Sequence, residues 1–263
     1  MADARVDFTD SAAYERFMGR WSRAVAPRFL QWIAPPRRAQ WLDVGCGTGI
    51  LVEALLALCD PLSIVGVDTS RAQVEQAAQG PAGRRAEFQQ ADAMALPFAD
   101  ASFDVAVAAL VLNFLAQPVR ALQEMRRVTR AGGVVAGYVW DFTAELSPSG
   151  PLRRSLRALG TDVPAIPGSA HSSLEALRSL FAHAGLHRVE AKSVEVTLAY
   201  ADFEDFWDAQ TPGYSPTTKI INAMTEAQLR RLKRTVHESL PRGPNGKIEY
   251  SARANAVRAT VSA

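Results

Sequence analysis

The sequence predicts a doubly wound α/β fold with a seven-stranded sheet that is mostly parallel and has an antiparallel last strand. Over the central hundred residues, short apolar runs alternate with helical patterns, which is typical of a parallel sheet. The run at 105–110 is continuously apolar, as in a strand that is buried on both faces. Residues 248–256 instead alternate between apolar and polar, which predicts a half-exposed strand at the antiparallel edge.

The first half of the chain contains five predicted strands with helices between them. The strands cover residues 41–44, 63–67, 86–90, 105–110 and 134–140. The helices cover residues 49–58, 71–78 and 118–130.

The second half is less regular. Proline and glycine are frequent over 146–170, which predicts an irregular connection around one short basic helix. Ser172 and Glu175 predict a capping box at the start of the next helix. The remaining predicted elements are a strand at 189–198, a helix at 225–240, a turn at Asn245-Gly246 and the seventh strand.

Composition excludes several classes of protein. The 263 residues are 48% hydrophobic and 21% charged, as in an ordinary globular domain. A net charge of +2 is too small for a dedicated nucleic-acid binder, and two cysteines form no disulfide framework or zinc site. We find no signal-peptide pattern and no apolar stretch long enough to span a membrane. We therefore expect a cytoplasmic, metal-free protein of one domain, either a monomer or a homodimer.

A glycine loop closes the first strand and opens a helix, with the sequence DVGCGTG at 43–49. Glycines there allow a tight turn and close approach of a ligand, and the helix N-terminus adds positive partial charge. Asp68 ends the next strand, where a carboxylate can accept both hydroxyls of a ribose. The two features together predict a cofactor that contains adenosine.

The spacing of the loop discriminates between such cofactors. In the dinucleotide fingerprint the third small residue would fall at position 50, which is Ile50 here. Asp43 would repel a pyrophosphate but would accept an ammonium group. We therefore expect an adenosine with a zwitterionic amino-acid tail, and a nicotinamide-dependent oxidoreductase becomes an alternative.

Four segments occur in order over residues 41–140: WLDVGCGTG, GVDTS, ADAMALPFADASFDVAV and EMRRVTRAGG. With them, the sequence resembles the class I S-adenosylmethionine-dependent methyltransferases, and most of all the small-molecule branch that includes the ubiquinone/menaquinone-biosynthesis methyltransferases. The resemblance implies a Rossmann-like fold and S-adenosyl-L-methionine as the cofactor. The implied reaction is methyl transfer to a small organic acceptor, with S-adenosyl-L-homocysteine as the product.

The resemblance also implies which residues contact the cofactor. In the core they are Asp43, Gly45, Cys46, Gly47, Gly49, Asp68, Thr69, Asp92, Ala93, Met94, Ala109 and Leu110. Asp43 would lie near the methionine amino group, Asp68 would hold the ribose, and Asp92 would bond the adenine amino group. We interpret Cys46 as a small packing residue and not as a nucleophile.

The N-terminal segment resembles the part of this subgroup that folds over the cofactor. Helical spacing places Tyr14, Phe17, Met18 and Trp21 on one face. They either form a helical lid over the sulfonium or pack as an apolar helix against the sheet. Arg20 either meets the methionine carboxylate or lies in solvent.

The acceptor is expected at the carboxyl ends of strands four and five, where ligands bind in such sheets. The candidates are Asn113, Tyr138, Trp140, Asp141 and, from the later insertion, Trp207. Asp141 is either a base or a cap after strand five. Alignment of the reacting atoms can supply most of the catalysis, so we assign no catalytic residue.

The predicted organisation is one methyltransferase domain with three parts. Residues 1–40 form the lid, 41–141 the cofactor-binding core, and 142–263 the acceptor-side insertions with the last two strands. An RNA methyltransferase is an alternative because of the basic run at 230–234, although its leucine stripe favours a solvated helix face. A cofactor-binding module without turnover is a further alternative.

Overall fold

The structure is a computed structural model that describes residues 15–243 and 247–262. Tyr14 and the predicted turn at Asn245-Gly246 lie outside these ranges. The strands are β1 (Gln40–Val44), β2 (Ser63–Asp68), β3 (Glu87–Gln90), β4 (Phe103–Ala109), β5 (Thr129–Trp140), β6 (His187–Tyr200) and β7 (Ile248–Thr260). The α-helices are α1 (Arg20–Ile33), α2 (Ile50–Leu58), α3 (Arg71–Gln79), α4 (Pro118–Val128), α5 (Gly150–Ala158), α6 (Leu174–His183), α7 (Phe203–Gln210), α8 (Pro216–Asn222) and α9 (Glu226–Ser239).

The seven strands form one sheet in the order β3-β2-β1-β4-β5-β7-β6. Pairing is parallel from β3 through β5, and β7 runs antiparallel to both β5 and β6. The chain moves outward from β1 to β3 and then returns to place β4 on the other side of β1. This reversal is the topological switch point at which doubly wound sheets bind ligands. The predicted fold, including the antiparallel last strand, is confirmed.

The position of β7 differs from the prediction. It lies between β5 and β6, so the edge strands are β3 and β6. The alternation along β7 was a correct sign of a strand with one open face, since Glu249 and Arg253 are half-buried while Tyr250 and Ala252 are buried. A period of two reports the two faces of a sheet and contains no information about its edges.

Two hydrophobic clusters cover the two faces of the sheet. Trp41 and Val105 belong to a cluster with the buried residues of α1 and α2. Leu42 and Ala106, one position along each strand, belong to a second cluster with α4 and α6. Strand β4 is buried on both sides, as its continuous apolar sequence predicted.

The start of α6 also differs from the prediction. The N-cap is Ser173, whose side chain accepts the amide of Ala176 at 3.1 Å. Ser172 instead reaches back to the segment after β5, where its hydroxyl accepts the amides of Phe142 and Thr143, both at 3.1 Å. A capping motif in sequence does not show which of two adjacent serines faces the helix.

Replacement of Ser172 should therefore loosen the segment after β5. The Ser172→Ala variant should lower the free energy of unfolding by about 1–2 kcal/mol, because the amide of Thr143 loses its acceptor in a part-buried position. Urea unfolding measures this difference. The exposed Ser179→Ala is the matched control, with an expected change within about 0.5 kcal/mol. Equal effects of the two variants would contradict the assigned role.

Candidate functional site

The glycine loop between β1 and α2 adopts backbone conformations that favour glycine. Gly45, Gly47 and Gly49 have φ of +74°, +54° and +89°. A Cβ at Gly45 would lie 2.6 Å from the side chain of Val111, whereas a Cβ at Gly47 would meet nothing closer than Gln73 at 3.6 Å. The loop is therefore tight against the segment after β4 at its start and more open at its centre.

The loop is attached to the end of β2. The amides of Gly45 and Cys46 both donate to the carbonyl of Val67, at 2.8 and 2.9 Å. The next amide, that of Gly47, donates to Oδ2 of Asp68 at 3.1 Å, and Oδ1 of Asp68 accepts the amide of Ser70 at 2.9 Å. The structure thus brings together the two features, loop and acidic residue, that the sequence predicted as one site.

Asp43 lies beneath the loop at the end of β1 and is fully buried. Neither carboxylate oxygen has a hydrogen-bond partner among the described residues. Burial, followed by the negative charge of Asp68, raises the pKa of Asp43 from 3.8 to about 7. A buried carboxyl group without partners costs stability, so this position favours a ligand that supplies donors or positive charge.

Cys46 is buried within the loop, as a packing residue would be. Its Cβ packs over Gly66 of β2, together with the ring of Phe88 from β3. Burial raises the pKa of the Cys46 thiol, and the carboxylates of Asp43 and Asp68 raise it further. The thiol stays protonated and is no nucleophile at neutral pH.

The third group of predicted cofactor residues follows β3. Asp92 is exposed, and its Oδ1 accepts the amide of Met94 at 2.9 Å, while Ala93 is buried between them. Thr69 is also exposed, and its carbonyl accepts a hydrogen bond at 2.8 Å from the side chain of Gln90. Gln90 ends β3 and was missed from the sequence, where nothing marked it as part of the site. The assignment of Thr69, Asp92, Ala93 and Met94 to cofactor binding stays a prediction.

The end of β4 completes this edge of the sheet. Leu110 has a φ of +60°, a conformation that costs a residue with a side chain about 1 kcal/mol or more. Its amide donates to the carbonyl of Tyr138 at 2.8 Å, which fixes it beside β5. Ala109 and Leu110 are half-buried, and the next residue is Val111, which contacts Gly45. The predicted pair is therefore next to the glycine loop, and Val111 is an additional wall residue.

Of the predicted N-terminal contacts, the described apolar residues Met18 and Trp21 pack against the protein interior. Trp21 is fully buried and donates to the hydroxyl of Tyr200 at 3.2 Å, so it belongs to the core under α1. Met18 is half-buried, and its sulfur accepts a hydrogen bond from the indole of Trp140 at 3.1 Å. These contacts are those of the predicted apolar helix packed on the sheet. A lid function for Met18 and Trp21 stays a prediction.

Arg20 binds at the end of β6, four strands from β1 in the sheet. Its guanidinium donates to the carbonyl of Ala199 at 2.8 Å and to Asp205 at 3.3 Å, and it lies 4.4 Å above the ring of Tyr200. Protein partners thus hold Arg20 at a partly exposed position, and its contact with a methionine carboxylate stays a prediction.

The acceptor candidates after β4 and β5 lie at the expected edge but are buried by protein. Asn113 is 3% exposed and donates to the carbonyl of Pro167 at 3.3 Å. Tyr138 packs 4.8 Å from the ring of Phe29, and Trp140 contacts Met18. Their contact with an acceptor stays a prediction.

Asp141 is held in an ion pair. Its Oδ2 accepts two hydrogen bonds from Arg253, at 2.9 and 2.7 Å, and its Oδ1 accepts the amide of Ala144 at 3.0 Å. This is the arrangement of a cap after β5, one of the two predicted alternatives. Trp207, the last candidate, lies in α7, and Nζ of Lys233 in α9 is 5.0 Å from the centre of its ring. Its contact with an acceptor stays a prediction.

The basic run at 230–234 lies on a surface of α9 that also carries acidic side chains. Lys233 pairs with Glu204 at 3.1 Å, and Arg230 pairs with Glu226 at 3.1 Å. Leu232 between them is buried, so the run lies on the outside of an amphipathic helix, as predicted. Nothing in this arrangement favours RNA over solvent.

The central region of the chain is similar to a known protein family. A sequence model described as a methyltransferase domain matches residues 42–137, which contain the glycine loop, Asp68, Asp92 and Leu110. Residues 42–137 are therefore similar to known methyltransferase domains. Within the described residues, no helix of this protein is long and apolar enough to cross a membrane.

The methyltransferase domain has curated relatives and structural neighbours. The demethylmenaquinone methyltransferase of Roseiflexus castenholzii is 42% identical over 104 residues, which cover 39% of this chain and 43% of that protein. The O-methyltransferase cnsE of Penicillium expansum is 39% identical over 136 residues, covering 49% and 47%. The chain thus spans about half the length of the curated relatives that it matches. The YcgJ protein of Bacillus subtilis shares the fold, with a TM-score of 0.60, 20% identity and coverage of 91% of this chain and 99% of that one.

The buried carboxyl group at the site makes stability depend on pH. The unfolded chain releases the Asp43 proton near 3.8 and the folded chain near 7, so the folded protein loses stability as pH rises between these values. Asparagine does not titrate. The stability gained by Asp43→Asn should therefore widen by about 1.4 kcal/mol per unit between about pH 5 and 7, and then level off.

Urea unfolding of both proteins over a series of pH values measures this gain. Asp208→Asn, at an exposed position of α7, is the matched control and should show a flat difference. A pH-independent difference for Asp43→Asn would rule out the buried, unpartnered state of this carboxyl group.

Proposed function

We propose that this chain is an S-adenosylmethionine-dependent methyltransferase that transfers a methyl group to a small organic acceptor. The observation that carries the proposal is the buried Asp43 carboxyl group, without partners among the described residues, beneath a loop of three left-handed glycines. It lies inside the matched methyltransferase domain. The names of the curated relatives support methyl transfer, including transfer to oxygen in one of them.

The residues of the site fit the proposed cofactor. An amino-acid ammonium group would give Asp43 the donors and positive charge that it lacks. Asp68 stands at the end of β2, where a carboxylate suits the two hydroxyls of a ribose. The absence of a Cβ at Gly47 leaves open space at the centre of the loop for close approach of a ligand.

S-adenosylmethionine supplies a sulfonium-bound methyl group, which transfers to a nucleophile in line with the carbon–sulfur bond. The chain's contribution is to bind and orient. Asp43 would hold the ammonium group of the cofactor and Asp68 would hold its ribose. Val111 and Leu110 form the apolar wall beside β4. Proximity of this kind can lower a barrier by several kcal/mol without an unusual residue. Asp141 is held by Arg253 and by the amide of Ala144, and we assign it no role as a base.

The proposed organisation keeps the three predicted parts. Residues 41–141 bind the cofactor, while α1 and the segments after β5 cover the acceptor side. Two of the four cations in the basic run, Lys233 and Arg230, form ion pairs with carboxylates, and this weakens the case for RNA, because a nucleic-acid surface needs cations that are free to bind phosphate.

Cofactor preference tests the proposal. In isothermal titration calorimetry, the protein should bind S-adenosylhomocysteine and show no comparable affinity for NADH. The Asp68→Asn variant should bind S-adenosylhomocysteine less tightly by about 1.5–3 kcal/mol, because hydrogen bonds to a charged group are lost.

The exposed Asp208→Asn variant carries the same chemical change away from the site and should bind as the wild type does. Circular dichroism of each variant checks that it is folded. A preference for NADH would refute the methyltransferase proposal. Unchanged affinity in Asp68→Asn would show that the ribose is held elsewhere.

A further inference from the structure

Arg153 is a buried arginine that is not among the residues proposed to bind the cofactor. It lies in α5 and is 8% exposed. Its guanidinium donates to the carbonyl of Pro164 at 2.5 Å and to the hydroxyl of Thr217 at 3.5 Å. Among the described residues no carboxylate pairs with it, and burial lowers the pKa of Arg153. A cation buried without counter-charge is costly, so the position favours an anion.

Arg153 lines a small cavity of about 90 Å³. The polar part of the wall includes Ser147 and Ser169, and the apolar part includes Phe142 and Ile166. This volume suits a carboxylate together with the carbon atoms next to it.

The other charged residues of the wall leave Arg153 uncompensated. Glu145 also lines the cavity, but its carboxylate pairs with Arg157. The carbonyl of Glu145 accepts a hydrogen bond from Arg154 at 2.5 Å. The local surroundings therefore hold one acidic group, which is already neutralised, and an excess of positive charge.

The cavity is adjacent to the candidate cofactor site. The segment 165–169, which supplies part of its wall, packs against Asn113 in the segment after β4, since a Cβ at Gly168 would lie 1.9 Å from the carbonyl oxygen of Asn113. Asn113 also donates to Pro167. Val111, two residues earlier, contacts Gly45 of the glycine loop. The cavity and the glycine loop thus flank the same short segment after β4.

Resting on the proposed methyl transfer, we infer that this cavity is the subsite for a carboxylate of the methyl acceptor. Arg153 binds the carboxylate, while Phe142 and Ile166 contact the adjoining carbon atoms. The acceptor is then an organic acid, whose methylated atom lies outside the cavity toward the cofactor. A planar carboxylate matches the fork of one guanidinium and its single charge, whereas a phosphate dianion would need further cations.

Benzoate and its neutral isostere benzamide test this subsite in the full chain. Calorimetry with and without S-adenosylhomocysteine should show benzoate binding at least about tenfold more tightly than benzamide. Arg153→Met should remove this preference, and Arg153→Lys, which keeps the charge but loses the fork, should reduce it. Arg234→Met, at an exposed position of α9, removes the same charge elsewhere and should leave the preference unchanged.

Equal binding of the two probes by the wild type, absence of benzoate binding, or a preference that survives in Arg153→Met would each overturn the inference. If Arg153→Met fails to fold, the inference is tested by the preference of the wild type for benzoate over benzamide and by the reduction of this preference in Arg153→Lys. Binding of S-adenosylhomocysteine to the same samples reports on the proposed function separately. Failure of the carboxylate subsite is therefore distinguishable from failure of the proposed methyltransferase function.

Discussion

Three consecutive backbone amides of the glycine loop donate to the end of the neighbouring strand β2, and the site depends on this attachment. The carbonyl of Val67 accepts two of them and the side chain of Asp68 the third. The attachment gives the loop one position relative to the sheet, and it brings the carboxylate of Asp68 under the same backbone. Positive φ at the three glycines is what makes the path possible. A side chain at Gly45 would collide with Val111 and would displace the loop from the segment after β4.

The region around the glycine loop includes two features that destabilise the fold. Asp43 is buried without hydrogen-bond partners among the described residues, and Leu110 is held in the left-handed region. Both destabilise the fold locally and both lie next to the glycine loop. Destabilised groups of this kind concentrate where a ligand restores what the protein lacks. Stability and binding are therefore opposed at Asp43, which explains why a neutral replacement is expected to stabilise the protein and yet remove a partner for an ammonium group.

Sequence patterns predicted the parts of this molecule that local chemistry determines. The glycines, Asp43 and Asp68 were predicted as one site because residue type and spacing define them. The predicted position of β7 at the edge of the sheet was wrong, because the order of strands is set by contacts between segments that are distant in sequence. The partners of Arg20 lie in β6 and α7, 179 and 185 residues away, and Arg153 contacts Thr217 of α8, 64 residues later in the chain. No local pattern contains that information.

The insertion of β7 between β5 and β6 has a consequence for the order in which the sheet can assemble. Strands β1 to β5 follow one another closely in the chain, and each pairs with at least one other strand of this group, so they can associate as soon as they are synthesised. Strand β6 pairs with the sheet only through β7, and 47 residues separate the end of β6 from the start of β7. During translation β6 must therefore wait as an unpaired strand. The half of the sheet that holds the glycine loop can therefore form before the half that contains β6 and β7.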